Sequence, residues 1–332
     1  MKLSKSRAAI AGMLMICGAA SCASATPSKP VDARSAALEA LADQTPGTLA
    51  ACVVDEAGAS CVNGDRPSSM QSVMKLLVGL AVLDAVERGE LGLEDRVTLT
   101  RADVSVFVQP IESRLGPSGY STTIGELVRG AVIQSDSMAT DWLIARLGGP
   151  GAVQAFLERK GVTGIRLDRD ERHLQTEIFG LTWRDEYTNP DRFQQDIDAQ
   201  PVAVRDAAFR AYQQDVRDTA TPRAMATLLY RLASGDLLGT SSTRWMLATM
   251  KETQTFPDRL RAGTAPGWDA AHKTGTSNTW NGVTGATNDV GVLTSPLGEP
   301  SGVAVFLANS PAEAPARAAA IAKVARIVTR AR

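Results

Sequence analysis

Ser72-Val73-Met74-Lys75 sets a hydroxyl and an amine three residues apart, on one face of any helix that contains them, so the Lys75 amine can approach the Ser72 hydroxyl. A serine hydroxyl is a poor nucleophile. It needs a neighbouring base and nearby donors for a developing oxyanion. At the start of a buried helix the free backbone amides and the helix dipole favour that negative charge. Free lysine titrates at about 10.4, so burial or a second cation must lower it before it accepts a proton. A histidine-based alternative is poorly served, because the chain has only two histidines, His173 and His272, and no Gly-x-Ser-x-Gly elbow. Alone the motif is weak: Ser-x-x-Lys arises often by chance, and an exposed helix start with an ordinary surface lysine is the blander reading.

Its company changes the odds. Ser135-Asp136-Ser137 follows, then Glu171, then Lys273-Thr274-Gly275, in that order along the chain. Here the sequence resembles the class A β-lactamases, through these motifs and through Met70-Gln71, Arg166-Leu167-Asp168-Arg169 and Thr276-Ser277 around them. The likeness covers nearly all of 31–330 except one segment. It implies hydrolysis of β-lactams, with Ser72 attacking the lactam carbonyl and the backbone amides of Ser72 and Thr276 forming the oxyanion hole. Lys75 and Glu171 would share the proton traffic, Glu171 activating water for deacylation. Ser135 would relay a proton to the lactam nitrogen, and Lys273 would help bind the substrate carboxylate, with hydrogen bonds from Thr274 and Thr276. Gly275 and Ser277 complete the same substrate-binding stretch. Arg259 matches a position where some members place a carboxylate-binding arginine; a solvated surface charge is the equal alternative.

Three departures stand out. Ser137 replaces the Asn of Ser-Asp-Asn, which shortens or removes a contact to the substrate's amide side chain. Gln175 replaces the Asn that helps position the hydrolytic water. From 176 to 216 a polar, helix-prone insertion replaces a much shorter connection. Within it, Pro201 to Gln214 reads as a helix with Val204, Ala208 and Tyr212 on one side, either a lid or wall beside the cleft or a surface loop without a role. Asp168, Asp170, Glu171 and His173 lie close together, but not at a recognised ligand spacing, so no metal and no cofactor is expected. His272 is read as a strand residue beside Lys273, and Asp136 as a brace for the serine loop.

The elements that must position these residues follow from periodicity. A helix is expected over 31–44, then a hairpin, then a buried helix from Ser72 to about Arg88 that is apolar almost all round. From 123 to 250 the pattern stays helical, with a capping box at Thr123 to Glu126, a stop at Gly148-Gly149-Pro150 and a start at Thr221-Pro222. Strands are expected at 268–273, 289–294 and 302–308, and a last helix from Ser310. Strands at both ends with helices between them predict an α+β, β-lactamase-like fold: an antiparallel five-stranded sheet flanked by helices, an all-helical lobe, and the active site between them. The boundaries are about 31–66 and 255–330 for the sheet lobe and about 67–254 for the helical lobe.

The chain has 332 residues, 44% hydrophobic and 21% charged, with a formal net charge of −1, so disorder and a nucleic-acid partner are excluded. Lys2, Lys5 and Arg7 precede an apolar stretch and then Ala23-Ser24-Ala25, the pattern of a secretory signal peptide spanning 1–25, with 26–332 as the catalytic domain. Periplasmic or secreted localisation follows, with no stable membrane span. Ala19-Ala20-Ser21-Cys22 also resembles a degenerate lipoprotein box that would put a lipid on Cys22. After cleavage at Ala25 only Cys52 and Cys61 remain, bridged across the hairpin or left as two buried thiols. A monomer acting on small-molecule β-lactams is the default. Two competitors share the motifs: a D,D-peptidase or esterase, disfavoured by Glu171, and a non-hydrolysing β-lactam or cell-wall binder.

Overall fold

The computed structural model describes Met1 and residues 33–330; Cys22 and, Met1 apart, the stretch expected to be a signal peptide lie outside the described residues. Among the described residues, ten strands and twelve α-helices follow in chain order. Helix α1 (Ala33–Asp43) precedes the hairpin β1 (Thr48–Asp55) and β2 (Gly58–Val62), then β3 (Ser68–Ser69) and α2 (Met74–Glu87). Next come β4 (Arg96–Leu99), β5 (Tyr120–Thr123), α3 (Ile124–Ile133), α4 (Ser137–Leu147), α5 (Pro150–Arg159) and α6 (Glu171–Ile178). The segment 176–216 carries α7 (Pro190–Ala199) and α8 (Val202–Gln214), and β6 (Thr219–Ala220) leads to α9 (Pro222–Ser234), α10 (Thr240–Lys251) and α11 (Leu260–Gly263). The chain ends with β7 (Asp269–Thr276), β8 (Thr279–Trp280), β9 (Val283–Thr294), β10 (Pro300–Ser310) and α12 (Ala314–Arg330).

The main sheet has the order β2-β1-β10-β9-β7, antiparallel throughout, with the two-residue β8 paired to β9. This is the five-stranded sheet predicted from strands at both ends of the chain. Both of its faces are covered, so its residues divide by alternation. Leu49, Ala51 and Val53 of β1, with Val303, Val305 and Leu307 of β10, pack with Leu38 of α1 and Ile321, Val324 and Val328 of α12. Their neighbours Cys52, Ala304 and Phe306 face the opposite way and join the larger core with α2 and α9. Helix α2 has no polar face to offer: Met74 through Ala85 are all buried, as its continuous apolar run requires.

Several boundaries differ from the sequence reading. The helix expected from Ser72 opens instead with a 3-10 turn, Gln71–Val73, before α2 begins. The helical stretch 123–250 is interrupted by β6, which pairs with β3. The three C-terminal strands are longer than predicted, because small and polar residues such as Thr287 and Asn288 obscure the alternation. Ser310 ends β10 rather than capping a helix: it pairs with Thr284, and the carbonyl of Glu313 accepts from Ala316 and Arg317 instead. The caps at Thr123 and Thr221 form as predicted, accepting from the amides of Glu126 and Ala224 at 3.2 Å each.

Cys52 and Cys61 sit directly opposite each other in the β1–β2 ladder and are bridged. The bridge closes a loop of sequence separation 9, which by chain entropy contributes roughly 2–3 kcal/mol. Replacing both cysteines by alanine should lower the unfolding free energy by about that amount in urea titration. An unchanged midpoint would show that the β1–β2 pairing is held without the bridge.

Candidate active site

Ser72 lies in the 3-10 turn ahead of α2, one residue after Gln71, whose φ of 49° is in the left-handed region. The turn is pressed against β7. A Cβ on Gly275 would fall 2.6 Å from the carbonyl oxygen of Met70 and 3.2 Å from the amide nitrogen of Ser72. Only glycine allows the strand backbone that close, which accounts for its place after Lys273-Thr274. Asn288 of β9, not singled out in the sequence, fixes the same turn by donating from Nδ2 to the carbonyls of Ser69 (2.8 Å) and Met70 (3.1 Å).

Lys75 lies on the first turn of α2 and is buried. Its Nζ donates to the Ser135 carbonyl (2.6 Å) and Ser137 Oγ (3.0 Å) and lies 3.3 Å from Glu171 Oε1. Ser135 turns its carbonyl toward Lys75 with a φ of 61°, while its Oγ accepts from Lys273 Nζ at 3.0 Å. Burial, with the charge of Lys75 beside it, holds the Lys273 ammonium well below the usual lysine range. Asp136 supplies the brace: its two oxygens accept from the amides of Ala139 and Ile111, both at 2.8 Å.

Glu171 opens α6, and the free amides of the helix's first three residues are satisfied. Asp141 of α4 accepts from the amides of Glu171 (2.8 Å) and Arg172 (3.2 Å). Asp170 accepts from His173 with its side chain and from Leu174 with its carbonyl. The loop that carries Glu171 is closed by Arg169, buried against Asp218 (2.6 Å), Glu177 (2.5 Å) and Asp215 (3.1 Å). Gln175, one turn along α6, donates from Nε2 to Glu171 Oε2 at 3.0 Å and to Gln71 Oε1 at 3.1 Å.

A cavity of ≈ 230 Å³ collects Ser72, Lys75, Ser137, Glu171, Gln175, Thr276 and Ser277, with Phe107, Val108 and Phe179 as its apolar wall. A larger depression of ≈ 540 Å³ beside Arg88 and Arg159 holds no nucleophile next to a base. Ser135, Lys273, Thr274 and Gly275 are not among the residues that line the first cavity. Thr274 shares a hydrogen bond with Thr255 (2.6 Å), and Ser277 Oγ accepts from the Ala286 amide (2.7 Å) and donates to the Asn278 carbonyl. Arg259 is no surface charge: it is 3% exposed, stacks on Phe256, and donates to the carbonyls of Gly275 and Asn288 and to Thr276 Oγ1 (2.7 Å). With that oxygen accepting from Arg259, the Thr276 proton is free to point elsewhere. His272 is a buried strand residue paired with Asp289 at 3.0 Å.

The insertion is less polar than its sequence suggested. The end of α6 takes up Thr176 to Ile178, and beyond it Phe179, Tyr187 and Phe193 form an aromatic cluster that receives Phe107 at 5.7 Å (Phe179) and 5.4 Å (Phe193). Helix α8 forms where predicted, but its stripe is Phe209 and Tyr212, with Val204 exposed at 39%. Aromatic residues scattered through 179–212 were the available signal.

Fold and cavity together define a serine hydrolase with a lysine and a glutamate beside its nucleophile. Residues 33–331 match the family described as the Beta-lactamase enzyme family. The VEB-1 β-lactamase of Pseudomonas aeruginosa is 31% identical over 252 residues, covering 75% of this chain and 73% of that protein. The extended-spectrum β-lactamase PER-1 of the same organism is 29% identical over 270 residues, covering 80% and 75%. Among solved structures, an ancestral class A β-lactamase of Gram-negative bacteria is 34% identical with a TM-score of 0.72, covering 90% of this chain and 99% of its own. A β-lactamase from Chitinophaga pinensis is 27% identical with a TM-score of 0.74, covering 90% and 99%. The chain belongs to the class A serine β-lactamase family.

Asp141 offers a test of how the Glu171 helix is held. Burial, then the charges of Asp170 and Glu171, push its carboxyl up from 3.8 to about 7. An acid raised in the folded state adds stability that is full below its unfolded value and lost as pH rises through the folded one. The stability of the parent relative to Asp141→Asn should therefore fall between about pH 4 and about pH 7, measured by urea unfolding. A difference that stays constant across that range would contradict a raised Asp141.

Proposed function

We propose that this chain hydrolyses β-lactams through an acyl-enzyme on Ser72, in a cleft between a sheet lobe (31–66 and 255–330) and a helical lobe (67–254). The observation that carries the reading is the placing of Ser72, Lys75 and Glu171 on one cavity, with Lys75 Nζ 3.3 Å from Glu171 Oε1. Ser72 Oγ attacks the lactam carbonyl as its proton passes to Lys75, once that ammonium has given a proton to Glu171 Oε1 3.3 Å away, or passes through a water to Glu171. The oxyanion is held by the amides of Ser72 and Thr276, and the Gly275 backbone packed on the serine turn brings the two segments together. The carbon–nitrogen bond breaks, and Ser135, fed by Lys273, protonates the departing nitrogen. Thr274, Gly275, Thr276, Ser277 and Arg259 then form the region that receives the substrate carboxylate, with Arg259 acting through Thr276 Oγ1. Glu171, with Gln175 beside it, activates the water that releases the ester. A buried carboxylate at that place favours a β-lactamase over a D,D-peptidase, which needs no such water.

The segment 176–216 acts as a wall. It holds Phe107 on one side of the cleft and reaches the sheet on the other, where Arg205 stacks on Trp280 at 3.8 Å and Asp206 accepts from Trp280 Nε1 at 2.7 Å. The same reading includes export by a signal peptide cleaved after Ala25, consistent with the Cys52–Cys61 bridge, and a monomer as the working unit. No helix among the described residues is long and apolar enough to cross a membrane.

Intact-mass spectrometry after brief exposure to a penicillin should give one adduct, abolished by Ser72→Ala. Glu171→Gln should accumulate that adduct, its release slowed by about 10²–10⁴-fold. A surviving adduct in the first variant, or unchanged turnover in the second, would overturn the assignment. Phe193→Ala, which loosens Phe107 from behind the cavity, should shift the relative kcat/KM of penicillins and bulkier cephalosporins several-fold, on the order of one lost aromatic contact. Identical ratios for several β-lactams would mean that the wall takes no part in selection.

A further inference from the structure

A continuous chain of buried polar side chains runs from the insertion to the glutamate. Tyr212 of α8 donates from its hydroxyl to Ser69 Oγ (3.0 Å) and accepts from Gln71 Nε2 (2.7 Å). Gln71 Oε1 accepts from Gln175 Nε2 (3.1 Å), and that same nitrogen donates to Glu171 Oε2 (3.0 Å). The Tyr212 ring occupies space vacated at Gly285, where a Cβ would lie 2.6 Å from its Cε1. Burial raises the Tyr212 pKa, so the phenol keeps its proton and remains a donor to Ser69.

The directions in this chain are not interchangeable. Each side-chain amide has one donor end and one acceptor end, so fixing the first fixes the second. With its hydroxyl proton directed at Ser69, Tyr212 presents a lone pair to Gln71. Gln71 must then turn Nε2 outward and Oε1 toward Gln175. Gln175 in turn has both amide protons engaged, one on Gln71 and one on the carboxylate. Without the phenol oxygen, Gln71 loses the partner that selects its orientation. The flipped amide would set two donors face to face, and Gln175 would bring its own oxygen toward a carboxylate.

We propose that Tyr212, supplied by the inserted helix, is a positioning residue for deacylation: through Gln71 it sets the orientation of Gln175 and thereby holds Glu171 for water activation. This inference rests on the acyl-enzyme reading above and assigns the insertion a part in the second half of the reaction. The hydrogen bonds of this chain end on Glu171 Oε2, whereas Lys75 faces the other oxygen, Oε1, at 3.3 Å and keeps its own bonds to the Ser135 carbonyl and Ser137 Oγ, so the relay meets the acylation groups only through the carboxylate it positions.

Single-turnover acylation and acyl-enzyme release, each followed by intact mass with a penicillin, separate the two halves. Tyr212→Phe keeps the ring and its packing. It should leave acylation within about twofold of the parent and slow release by about tenfold, the effect of one buried hydrogen bond. Gln71→Met should slow release similarly, and adding Tyr212→Phe to it should slow it no further. Equal release rates in Tyr212→Phe and the parent would overturn the inference. So would a tenfold loss that persists on top of Gln71→Met, because the ring's environment rather than the relay would then be responsible. A parent that forms no adduct at all would instead sink the acyl-enzyme reading.

Discussion

The burial of Lys75 is the constraint around which the rest is arranged. An ammonium removed from water must find partners for its protons or the site does not form. Lys75 finds three of them on two separate segments: the Ser135 carbonyl and Ser137 hydroxyl on one, and the Glu171 carboxylate on the other. Each partner imposes a condition of its own. The Ser135 carbonyl points inward only because that residue takes a left-handed backbone, which frees its hydroxyl to meet Lys273. The Glu171 carboxylate is present only because α6 begins where it does. One buried cation therefore ties together α2, the loop before α4 and the start of α6. The second buried lysine, on β7, joins the sheet to the same point.

Holding α6 is a problem of charge as much as of packing. Glu171, Asp141, Asp170, Glu177, Asp215 and Asp218 crowd one region, and Arg169 is the buried cation that reaches three of them. Asp218 also accepts from the amides of Asp168 and Arg169, so the two ends of the loop are bonded before any insertion residue is counted. Closed in this way at its base, the loop tolerates additional residues at modest entropic cost. The insertion then adds its own aromatic core of Phe179, Tyr187 and Phe193, which keeps it from being a loose excursion.

How much of this was legible in the sequence depends on the range over which each residue acts. Ser72 and Lys75 announce themselves because three residues of helix bring them together, and the sheet because strand patterns recur at both ends of the chain. The Cys52–Cys61 pair follows from a hairpin, also local. Tyr212 and Gln71 are 141 residues apart, and nothing in either neighbourhood specifies the other. Asp141 reads as an ordinary helix residue until α6 is docked against it. Arg259 was ambiguous for the same reason, since its partners on Gly275, Thr276 and Asn288 become available only when β7 and β9 pair. Ser310 was misread because its capping-box spacing to Glu313 gives a helix-start signal at the end of a strand whose last pairing, to Thr284, is set by the sheet.

The two halves of the proposed reaction are held by different kinds of structure. Ser72, Lys75, Ser135 and Lys273 sit where α2, the α3–α4 junction and β7 meet, and each of these is anchored in a core that spans the molecule. Shifts there would disturb packing throughout, so this half is rigid by construction. Glu171 and Gln175 belong to a short helix fixed at its start by Asp141 and Asp170 and farther along by contacts to Gln71 and the insertion. A chain of a few hydrogen bonds can alter the second half while leaving the first intact, which is where a lengthened loop can change an enzyme without unmaking it. In that arrangement the segment 176–216 meets the Glu171 helix at the few bonds that hold it.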